Sequence, residues 1–344
     1  MASSQTSMRA AVFQGDHSIS LEEVAAPTAP PGWSLVEVSH VGICGTDLAI
    51  FAGYHPRAKA PLIMGHEFSG RIVEPGATGL DAGQSVVVEP LMACGRCAAC
   101  RSGNAHVCKT LRLFGIDYPG GMAQYMVAPP ERVYAVPEAL PAAEAAVIEP
   151  LAVAVHAVRI SRFRPGDTVA VLGAGPVGLL TALVLRASGA GSVIVTEANP
   201  FRMNVARQLG FTTIDASSDP VARLLELTGG DGADLVFDAA GHPTVAASLV
   251  DACRINGQIM LVGIYKKPTA LDLQGISFKE IDVKGSRVYT PEDFRIACSL
   301  AASGRVALKP LISHVLPLGK VAEGFEVLAS GGAALKVMFD IGSA

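Results

Sequence analysis

Residues 167–178 read DTVAVLGAGPVG, and they decide the fold of the region around them. An apolar, strand-like run leads directly into the pattern G-x-G-x-x-G, and an apolar helical segment follows it. Gly173 permits a tight turn, Gly175 lets backbone amides approach a pyrophosphate, and Gly178 allows the helix to lie close to the strand. The helix N-terminus favours the negative charge of the phosphates. The stretch therefore predicts a βαβ unit that binds a dinucleotide.

An acidic residue marks the end of the next predicted strand. Glu197 lies 24 residues after Gly173, where a carboxylate accepts hydrogen bonds from the adenosine ribose hydroxyls and repels a 2′-phosphate. We therefore predict NAD rather than NADP as the cofactor. Arg202 keeps the alternative open, because an arginine there can accommodate a 2′-phosphate, although it can equally lie along the adenine or pair with Glu197.

The alternation of strands and helices extends over residues 151–299. Apolar runs of four to six residues alternate with helical segments, which is typical of a parallel sheet covered by helices. Predicted strands occupy residues 168–172, 192–196, 235–238, 258–262 and 281–284. We expect this region to be a doubly wound, Rossmann-type domain.

Residues 1–150 show a different pattern. From residue 8 to about residue 136, short β-type runs between Gly and Pro turns predict an all-β, barrel-like domain. Residues 142–159, rich in alanine and valine, predict one helix that leads into the second domain. Residues 300–344 contain further strand-like runs, which we expect to complete the first domain. The expected fold class is α/β, a mostly-β domain plus a doubly wound parallel sheet.

Composition narrows the classes of function. Of the 344 residues 50% are hydrophobic and 17% are charged, which is typical of a well-packed globular protein. A net charge of -4 without a Lys/Arg run argues against nucleic-acid and anionic-membrane partners and favours a small-molecule substrate. Neither a signal peptide nor a membrane-spanning run is visible, so we predict a cytoplasmic protein.

Four of the seven cysteines are closely spaced in the pattern C-x2-C-x2-C-x7-C. They are Cys94, Cys97, Cys100 and Cys108. This spacing lets four thiolates from one loop surround Zn²⁺ as a tetrahedron, and such a closed set leaves no position for a substrate. We predict a structural zinc site here. An iron–sulfur cluster is the weaker alternative, because the spacing lacks the usual ferredoxin form.

A second set of metal-ligand residue types is dispersed along the chain. It comprises Cys44, followed by Thr46 and Asp47; His66 and Glu67, preceded by a glycine; and Glu149, at the start of the predicted helix. Each of these residues alone has an ordinary structural explanation. Their combination with the four-cysteine loop and the glycine pattern indicates a second metal site.

Together these motifs resemble the zinc-containing medium-chain dehydrogenase/reductase family, and within it the sorbitol, threonine and butanediol dehydrogenase branch. The resemblance covers residues 8–339. It implies a GroES-like first domain and two zinc ions per chain, one of them catalytic. The catalytic zinc would be held by Cys44, His66 and either Glu67 or Glu149. Asp47 matches the acid that orients the histidine ligand in this family.

The resemblance also implies a mechanism. Zinc lowers the pKa of an alcohol, whose carbinol carbon then transfers hydride to the nicotinamide. Thr46 matches the hydroxyl that passes the alcohol proton onward. Relatives often carry a histidine five residues after the cysteine ligand, but this chain has Ala49 there, so the proton must leave by water or another group. His55 is one candidate for this role, and His156 is a candidate to approach the nicotinamide; both are also explained as ordinary structural residues.

The family pattern assigns further contacts to the dinucleotide. These residues are Pro176, Val177, Val262, Gly263 and Ile264 along the dinucleotide and Ser286, Arg287 and Val288 near the nicotinamide end. Arg287 can instead recognise an acidic group on the substrate. Relatives in this family are mostly dimers or tetramers, and we predict a homotetramer.

A glutamate in place of a second cysteine ligand makes the catalytic zinc harder, which suits a substrate with several oxygens. We therefore expect NAD-linked oxidation of a secondary hydroxyl in a small polyol, sugar alcohol or vicinal diol to the ketone. One alternative is L-threonine 3-dehydrogenase, which shares the metal ligands. A second alternative, from another class, is a non-catalytic protein that binds NAD and zinc.

Overall fold

The computed structural model describes residues 6–343. Contacts divide this part of the chain into two compact units. Unit 1 comprises residues 6–149, 290–303 and 312–343, and unit 2 comprises residues 150–289 and 304–311. The predicted domain limits are residues 1–150, completed by about 300–344, and residues 151–299, and they stay a prediction. Among the described residues, no helix has the length and apolarity needed to cross a bilayer.

The strands are β1 Ser7–Gly15, β2 Ser18–Ala25, β3 Ser34–Gly42, β4 Leu62–Ile63, β5 Glu67–Glu74, β6 Ser85–Val88, β7 Leu91–Met92, β8 Arg112–Leu113, β9 Tyr125–Ala128, β10 Val133–Ala135, β11 Thr168–Leu172, β12 Ser192–Glu197, β13 Thr212–Asp215, β14 Ala233–Asp238, β15 Cys253–Leu261, β16 Asp282–Gly285, β17 Ile312–Pro317 and β18 Lys336–Asp340.

The α-helices are α1 Gly45–Phe51, α2 Ala98–Arg101, α3 Ala142–Ala145, α4 Ile148–Arg159, α5 Pro176–Ala187, α6 Pro200–Gln208, α7 Pro220–Leu227, α8 Pro243–Ala246, α9 Leu249–Ala252, α10 Leu273–Lys279, α11 Pro291–Ala302 and α12 Val321–Ala329. Short 3-10 turns occupy Ala105–Val107, Pro130–Arg132, Lys309–Leu311 and Leu318–Lys320.

Unit 1 is built on a seven-stranded sheet in the order β10-β6-β5-β3-β18-β17, in which β9 also pairs with β3. A three-stranded sheet, β2-β1-β4, and the short pair β7-β8 complete the unit. Strand β3 is antiparallel to both β5 and β18, so Gly42 is the cross-strand partner of Glu67 on one side and of Met338 on the other. This register brings distant parts of the chain together at the end of β3.

Unit 2 is a six-stranded parallel sheet in the order β13-β12-β11-β14-β15-β16. The central strands are buried on both faces, as expected when helices cover a parallel sheet. The strands end in register, with Leu172 of β11 opposite Thr196 of β12 and Asp238 of β14. The loops after these strands therefore lie along one edge of the sheet, where ligands bind in such folds.

The mostly-β unit and the doubly wound parallel sheet confirm the predicted fold class. The predicted helix over residues 142–159 is wrong as a single helix, because α3 ends at Ala145 and α4 begins at Ile148. Pro150 explains the break, since proline lacks an N–H and is tolerated in the first turn of a helix but not in its interior. Strands β2 and β13 were not predicted, because both are partly exposed and rich in polar residues.

Candidate functional site

Cys44, His66 and Glu67 converge in unit 1. One potential ligand atom from each, a sulfur, a ring nitrogen and a carboxylate oxygen, lies within 4.8 Å of the other two. The pairing of Gly42 with Glu67 explains the convergence, because Cys44 follows Gly42 by two residues and His66 precedes Glu67. Thiolate, imidazole and carboxylate are the donors that Zn²⁺ takes from proteins. The geometry is thus suitable for a metal ion held by three side chains.

Asp47 supports this cluster from the first turn of α1. Its carboxylate accepts a hydrogen bond from the Cys44 N–H at 2.8 Å, and its Oδ1 lies 3.6 Å from Nδ1 of His66. Both of these atoms are buried, and neither makes a hydrogen bond within the described part of the chain. Burial raises the pKa of Asp47, and the charge of His66 opposes this effect. The arrangement fits an acid that orients a histidine ligand.

The electrostatics of the cluster favour a cation. Burial by itself would lower the pKa of His66, but the charges of Asp47, Cys44 and Glu149 raise it well above its usual value. Opposite charges at short range stabilise the charged form of a base. The excess of acidic groups around His66 therefore attracts positive charge, whether a proton or a metal ion.

Glu149 and Thr46 are two further residues predicted for this site. Glu149 lies in the first turn of α4 and is 8% exposed, but it is not one of the three residues whose ligand atoms converge. Its assignment as an alternative zinc ligand stays a prediction. Thr46 is half-buried in the first turn of α1, next but one to Cys44. Its assignment as the proton relay also stays a prediction.

Two further residues bear on the exit of a proton. Ala49 lies within α1 and offers no proton acceptor. Nδ1 of His55 accepts hydrogen bonds from the backbone N–H groups of Arg57 and Ala58 at 3.4 and 3.1 Å. Burial and the charge of Arg57 lower the pKa of His55, which favours its neutral form. Only Nε2 of His55 therefore remains available for proton exchange.

Lys336 is a member of the cluster that the sequence did not reveal. It is 2% exposed, and its Nζ donates hydrogen bonds to Oε2 of Glu67 at 2.5 Å and to the Ile43 carbonyl at 3.1 Å. Burial would lower its pKa, but the charges of Glu67, Cys44 and Glu149 raise it. One signal was available in the sequence: a lysine at the start of an otherwise apolar strand-like run is costly to bury unless it is paired.

The four cysteines of the second predicted site also converge. The Sγ atom of Cys100 lies 3.5 Å from that of Cys97 and 4.0 Å from that of Cys94, and the Cys97 and Cys108 sulfurs are 3.9 Å apart. A zinc–sulfur distance of about 2.3 Å places the sulfurs of a tetrahedral site roughly 3.8 Å apart. The observed spacing therefore fits a closed four-thiolate zinc site.

Backbone amides prepare this loop for thiolates. Hydrogen bonds from the N–H groups of Arg96 and Cys97 lower the pKa of Cys94 to about 6. The N–H groups of Cys100 and Lys109 lower the pKa of Cys97. Burial and the neighbouring thiols raise the pKa of Cys100 to about 12. Without a cation the four sulfurs cannot all ionise, so a metal ion matches their charge.

In unit 2 the glycine pattern has the predicted geometry. Gly173 adopts φ +107°, and a Cβ at Gly178 would lie 1.9 Å from the Gly173 carbonyl oxygen. Both positions therefore require glycine. Gly175 is the N-cap of α5, and nothing lies within 4 Å of the position that its Cβ would occupy. This open space at the helix N-terminus fits a pyrophosphate.

Glu197 ends β12 beside the glycine loop. Its Oε2 accepts a hydrogen bond from the Ala174 N–H at 2.8 Å, and its Oε1 accepts hydrogen bonds from the N–H groups of Ala198 and Asn199 at 2.9 and 2.8 Å. The carboxylate is thus fixed at the edge of the sheet. Arg202 lies one turn into α6, where its N–H donates to Asn199. Neither residue's contact with a nucleotide is tested, and both stay predictions.

Asp238 is a second residue at this edge that sequence reasoning missed. It is fully buried at the end of β14, and its Oδ1 accepts hydrogen bonds from the Ala240 and Gly241 N–H groups at 3.0 Å each. Its Oδ2 accepts a hydrogen bond from the Tyr265 hydroxyl at 2.5 Å. The Gly263 N–H donates to its carbonyl. Asp238 therefore shapes the two loops that flank the predicted nucleotide site.

The other predicted nucleotide contacts lie in the first turn of α5 and on loops of unit 2. Ile264 is 82% exposed, which is compatible with contact to a bound ligand and equally with an ordinary surface position. The Ser286 hydroxyl is buried without a hydrogen bond in residues 6–343, and Val288 adopts φ +42°, which is uncommon for a β-branched residue. His156 is 3% exposed within α4. The contacts predicted for Pro176, Val177, Val262, Gly263, Ile264, Ser286, Arg287 and Val288 stay predictions.

Comparison with protein families and known proteins gives consistent matches. Residues 30–138 match the alcohol dehydrogenase GroES-like domain, and residues 176–303 match the zinc-binding dehydrogenase domain. The chain is 35% identical to 2-dehydro-3-deoxy-L-galactonate 5-dehydrogenase of Pseudoalteromonas atlantica, over 97% of this chain and 98% of that protein. It is 36% identical to L-threonine 3-dehydrogenase of Pyrococcus abyssi, over 93% of this chain and 94% of that protein.

Solved structures agree with these matches. The structure of 2R,3R-butanediol dehydrogenase from Bacillus subtilis superposes with a TM-score of 0.89 and 32% sequence identity. The match covers 97% of this chain and 99% of the butanediol dehydrogenase chain. Both units of the chain are therefore included in the similarity.

Proposed function

Because the chain belongs to the zinc-containing medium-chain dehydrogenase/reductase family, we propose that it oxidises a secondary hydroxyl of a small polyol, sugar alcohol or vicinal diol to the ketone, with NAD as hydride acceptor. The convergence of Cys44, His66 and Glu67 is the observation that carries this proposal. These residues would hold the catalytic zinc, with Glu149 as the alternative carboxylate. Zinc at this position supplies Lewis-acid polarisation of the alcohol or ketone oxygen.

Side chains of the protein then transfer the alcohol proton. Thr46, next but one to Cys44, accepts the alcohol proton at Oγ1 while it donates its own, so it relays a proton without changing charge. Asp47 keeps His66 oriented and balances its charge. Since Ala49 cannot continue the relay, the proton leaves through water or through Nε2 of His55. Cys94, Cys97, Cys100 and Cys108 would hold a second zinc that has only a structural role.

The glycine loop and Glu197 support a dinucleotide as the second substrate. Gly173, Gly175 and Gly178 open the N-terminus of α5 to the pyrophosphate, and Glu197 would accept the adenosine ribose hydroxyls. A fixed carboxylate at this place repels a 2′-phosphate, which supports NAD over NADP.

Glu197→Ser should reverse much of this preference. Removal of the like charge opposite a 2′-phosphate is expected to lower the ratio of kcat/KM for NAD to that for NADP by about 100-fold, because such repulsion costs several kcal/mol. Steady-state kinetics with both cofactors measure the ratio. Glu197→Asp keeps the charge and serves as the control, which should still prefer NAD. An unchanged ratio in Glu197→Ser would show that Glu197 does not select the cofactor.

The names of the relatives describe related substrates. A 5-dehydrogenase of a deoxy sugar acid, a threonine 3-dehydrogenase and a butanediol dehydrogenase each act on a secondary hydroxyl next to a carbon that bears oxygen or nitrogen. This shared chemistry supports a polyol or vicinal diol for the present chain. Threonine is the second candidate, because a threonine dehydrogenase is as similar to the chain as the sugar-acid enzyme is.

An NAD-reduction screen tests the substrate class. We expect kcat/KM at least about tenfold higher for sugar alcohols or short vicinal diols than for simple monoalcohols, since only the former offer a neighbouring oxygen to the site. The panel also includes threonine, sugar acids and benzyl alcohol. Formation of NADH is followed by its absorbance at 340 nm. Activity on threonine but on no neutral diol selects the second candidate. Preference for long-chain or benzylic monoalcohols contradicts the proposal.

Two further features belong to the same proposal. We expect a homotetramer rather than a dimer, and a cytoplasmic location. Family membership supports an oligomer, and the small-molecule chemistry requires neither nucleic acid nor a membrane.

A further inference from the structure

Lys336 and Glu67 form an ion pair that is buried next to the proposed catalytic metal site. The side chains are 3% and 2% exposed, and Lys336 is the only buried lysine among residues 6–343. Its second hydrogen bond, to the Ile43 carbonyl, fixes the ammonium group just before Cys44. The pair joins residues that are 269 positions apart in the chain. A contact of this kind is maintained by the fold and not by local sequence.

The main chain leaves room for this pair. A Cβ at Gly42 would lie 2.6 Å from Oε2 of Glu67 and 3.3 Å from Cδ of Lys336. Any larger residue at position 42 would therefore displace the carboxylate oxygen that Lys336 binds. Strands β5 and β18 flank β3 on its two sides, so the missing side chain at Gly42 is what lets the two partners meet.

The ion pair makes the two carboxylate oxygens of Glu67 unequal. Lys336 binds Oε2, which leaves Oε1 as the oxygen without this partner. A carboxylate with both oxygens free can bind a cation in the bidentate mode. With Cys44 and His66, a bidentate Glu67 would fill all four positions of a tetrahedral zinc ion. A catalytic zinc needs one position that the protein does not fill. Control of the second oxygen of Glu67 therefore determines whether that position stays open.

We propose that Lys336 is a positioning residue that restricts Glu67 to one oxygen toward the metal, and thereby keeps a coordination position free for the substrate. This inference deepens the proposed function and rests on it. Lys336 touches neither substrate nor cofactor in this role. It acts through Glu67, by holding one carboxylate oxygen in a fixed hydrogen bond.

The role can be separated from a merely structural one. Removal of the ammonium group makes the surroundings of the metal more negative, because it takes away a positive charge that contacts Glu67 and lies close to Cys44. Such a change favours retention of a divalent cation. Loss of Lys336 is therefore expected to retain the metal and to close the free position. If Lys336 were merely structural, its replacement would either cause loss of the metal or leave both the metal content and the free position unchanged.

The test uses the full-length protein with Co²⁺ in the catalytic site and zinc kept in the four-cysteine site, titrated with imidazole. The titration is done well above pH 7, where imidazole is neutral, so the more negative site does not repel or attract it by charge. For Lys336→Met we expect unchanged cobalt content but an imidazole Kd at least about tenfold higher than in the wild type. Lys336→Met/Glu67→Gln should regain imidazole binding, because an amide offers only one oxygen.

Lys320→Met is the matched control, since Lys320 is 55% exposed and pairs with Glu323 at the surface. It should bind imidazole as the wild type does. Wild-type imidazole affinity in Lys336→Met overturns the proposal, and so does loss of its cobalt. If Cys44→Ser holds as much catalytic-site cobalt as the wild type, the proposed function itself fails.

Discussion

Cys44→Ser should lower kcat/KM by roughly 10³-fold or more while the fold stays intact. A catalytic zinc contributes several kcal/mol to transition-state stabilisation, and each 1.36 kcal/mol corresponds to a factor of ten in rate. The residues around Cys44 are already held by the β3–β5 and β3–β18 pairings, so the fold does not depend on the metal there. Steady-state kinetics and circular dichroism measure the two effects.

Cys298→Ser provides the control for this variant. Cys298 lies in α11 and belongs to neither group of converging ligand atoms, and burial raises the pKa of its thiol to about 12. It should keep wild-type kcat/KM and two zinc ions, whereas Cys44→Ser should retain only the structural zinc. Wild-type activity in Cys44→Ser would show that this cysteine is not a ligand of a catalytic metal.

Cys97→Ser should have its main effect on stability. The region between Met92 and Leu111 contains one buried apolar side chain in the described structure, that of Cys108. Helix α2 has only four residues, so the lobe has little core of its own. Because a structural zinc contributes to folding directly, we expect the free energy of unfolding to fall by roughly 3 kcal/mol or more. Chemical denaturation of the zinc-loaded protein measures this change.

Comparison of the two variants tests whether the two zinc sites have separate roles. The fraction of Cys97→Ser protein that remains folded should keep the catalytic zinc and measurable turnover. Cys44→Ser should instead keep its stability and lose turnover. If both variants lose activity and stability to the same extent, the two sites do not have separate roles. If Cys97→Ser is as stable as the wild type, the four-cysteine loop does not need a metal.

The local sequence predicted the parts of the fold that have strong patterns. The strand expected at residues 168–172 coincides with β11, and the glycine pattern after it has the expected turn and N-cap. Strand β13 was missed because a short edge strand buries only one of its four residues. The break before α4 was missed because the alanine-rich composition outweighed Pro150, although a proline restricts where a helix can begin.

The site was only partly predictable, because a local sequence pattern reveals ligands within one loop but not contacts between distant strands. Cysteine spacing within one loop is visible in the sequence, and the four sulfurs do converge. The contact of Lys336 with Glu67 depends on the order and register of three strands, which no local pattern specifies. Asp238 was missed because an acid at the end of a strand has many uses, and only the structure shows its hydrogen bonds to two loops.

Isotope transfer tests the proposed reaction most directly. The zinc-loaded protein is incubated with NAD and with a polyol or vicinal diol that is deuterated at the reacting carbinol carbon, and the products are analysed by mass spectrometry and NMR. Direct hydride transfer places one deuterium on C4 of the nicotinamide for each ketone formed, with none lost to solvent. Ketone formation without deuterium in NADH, or no ketone from any deuterated diol or polyol, would contradict the proposed function.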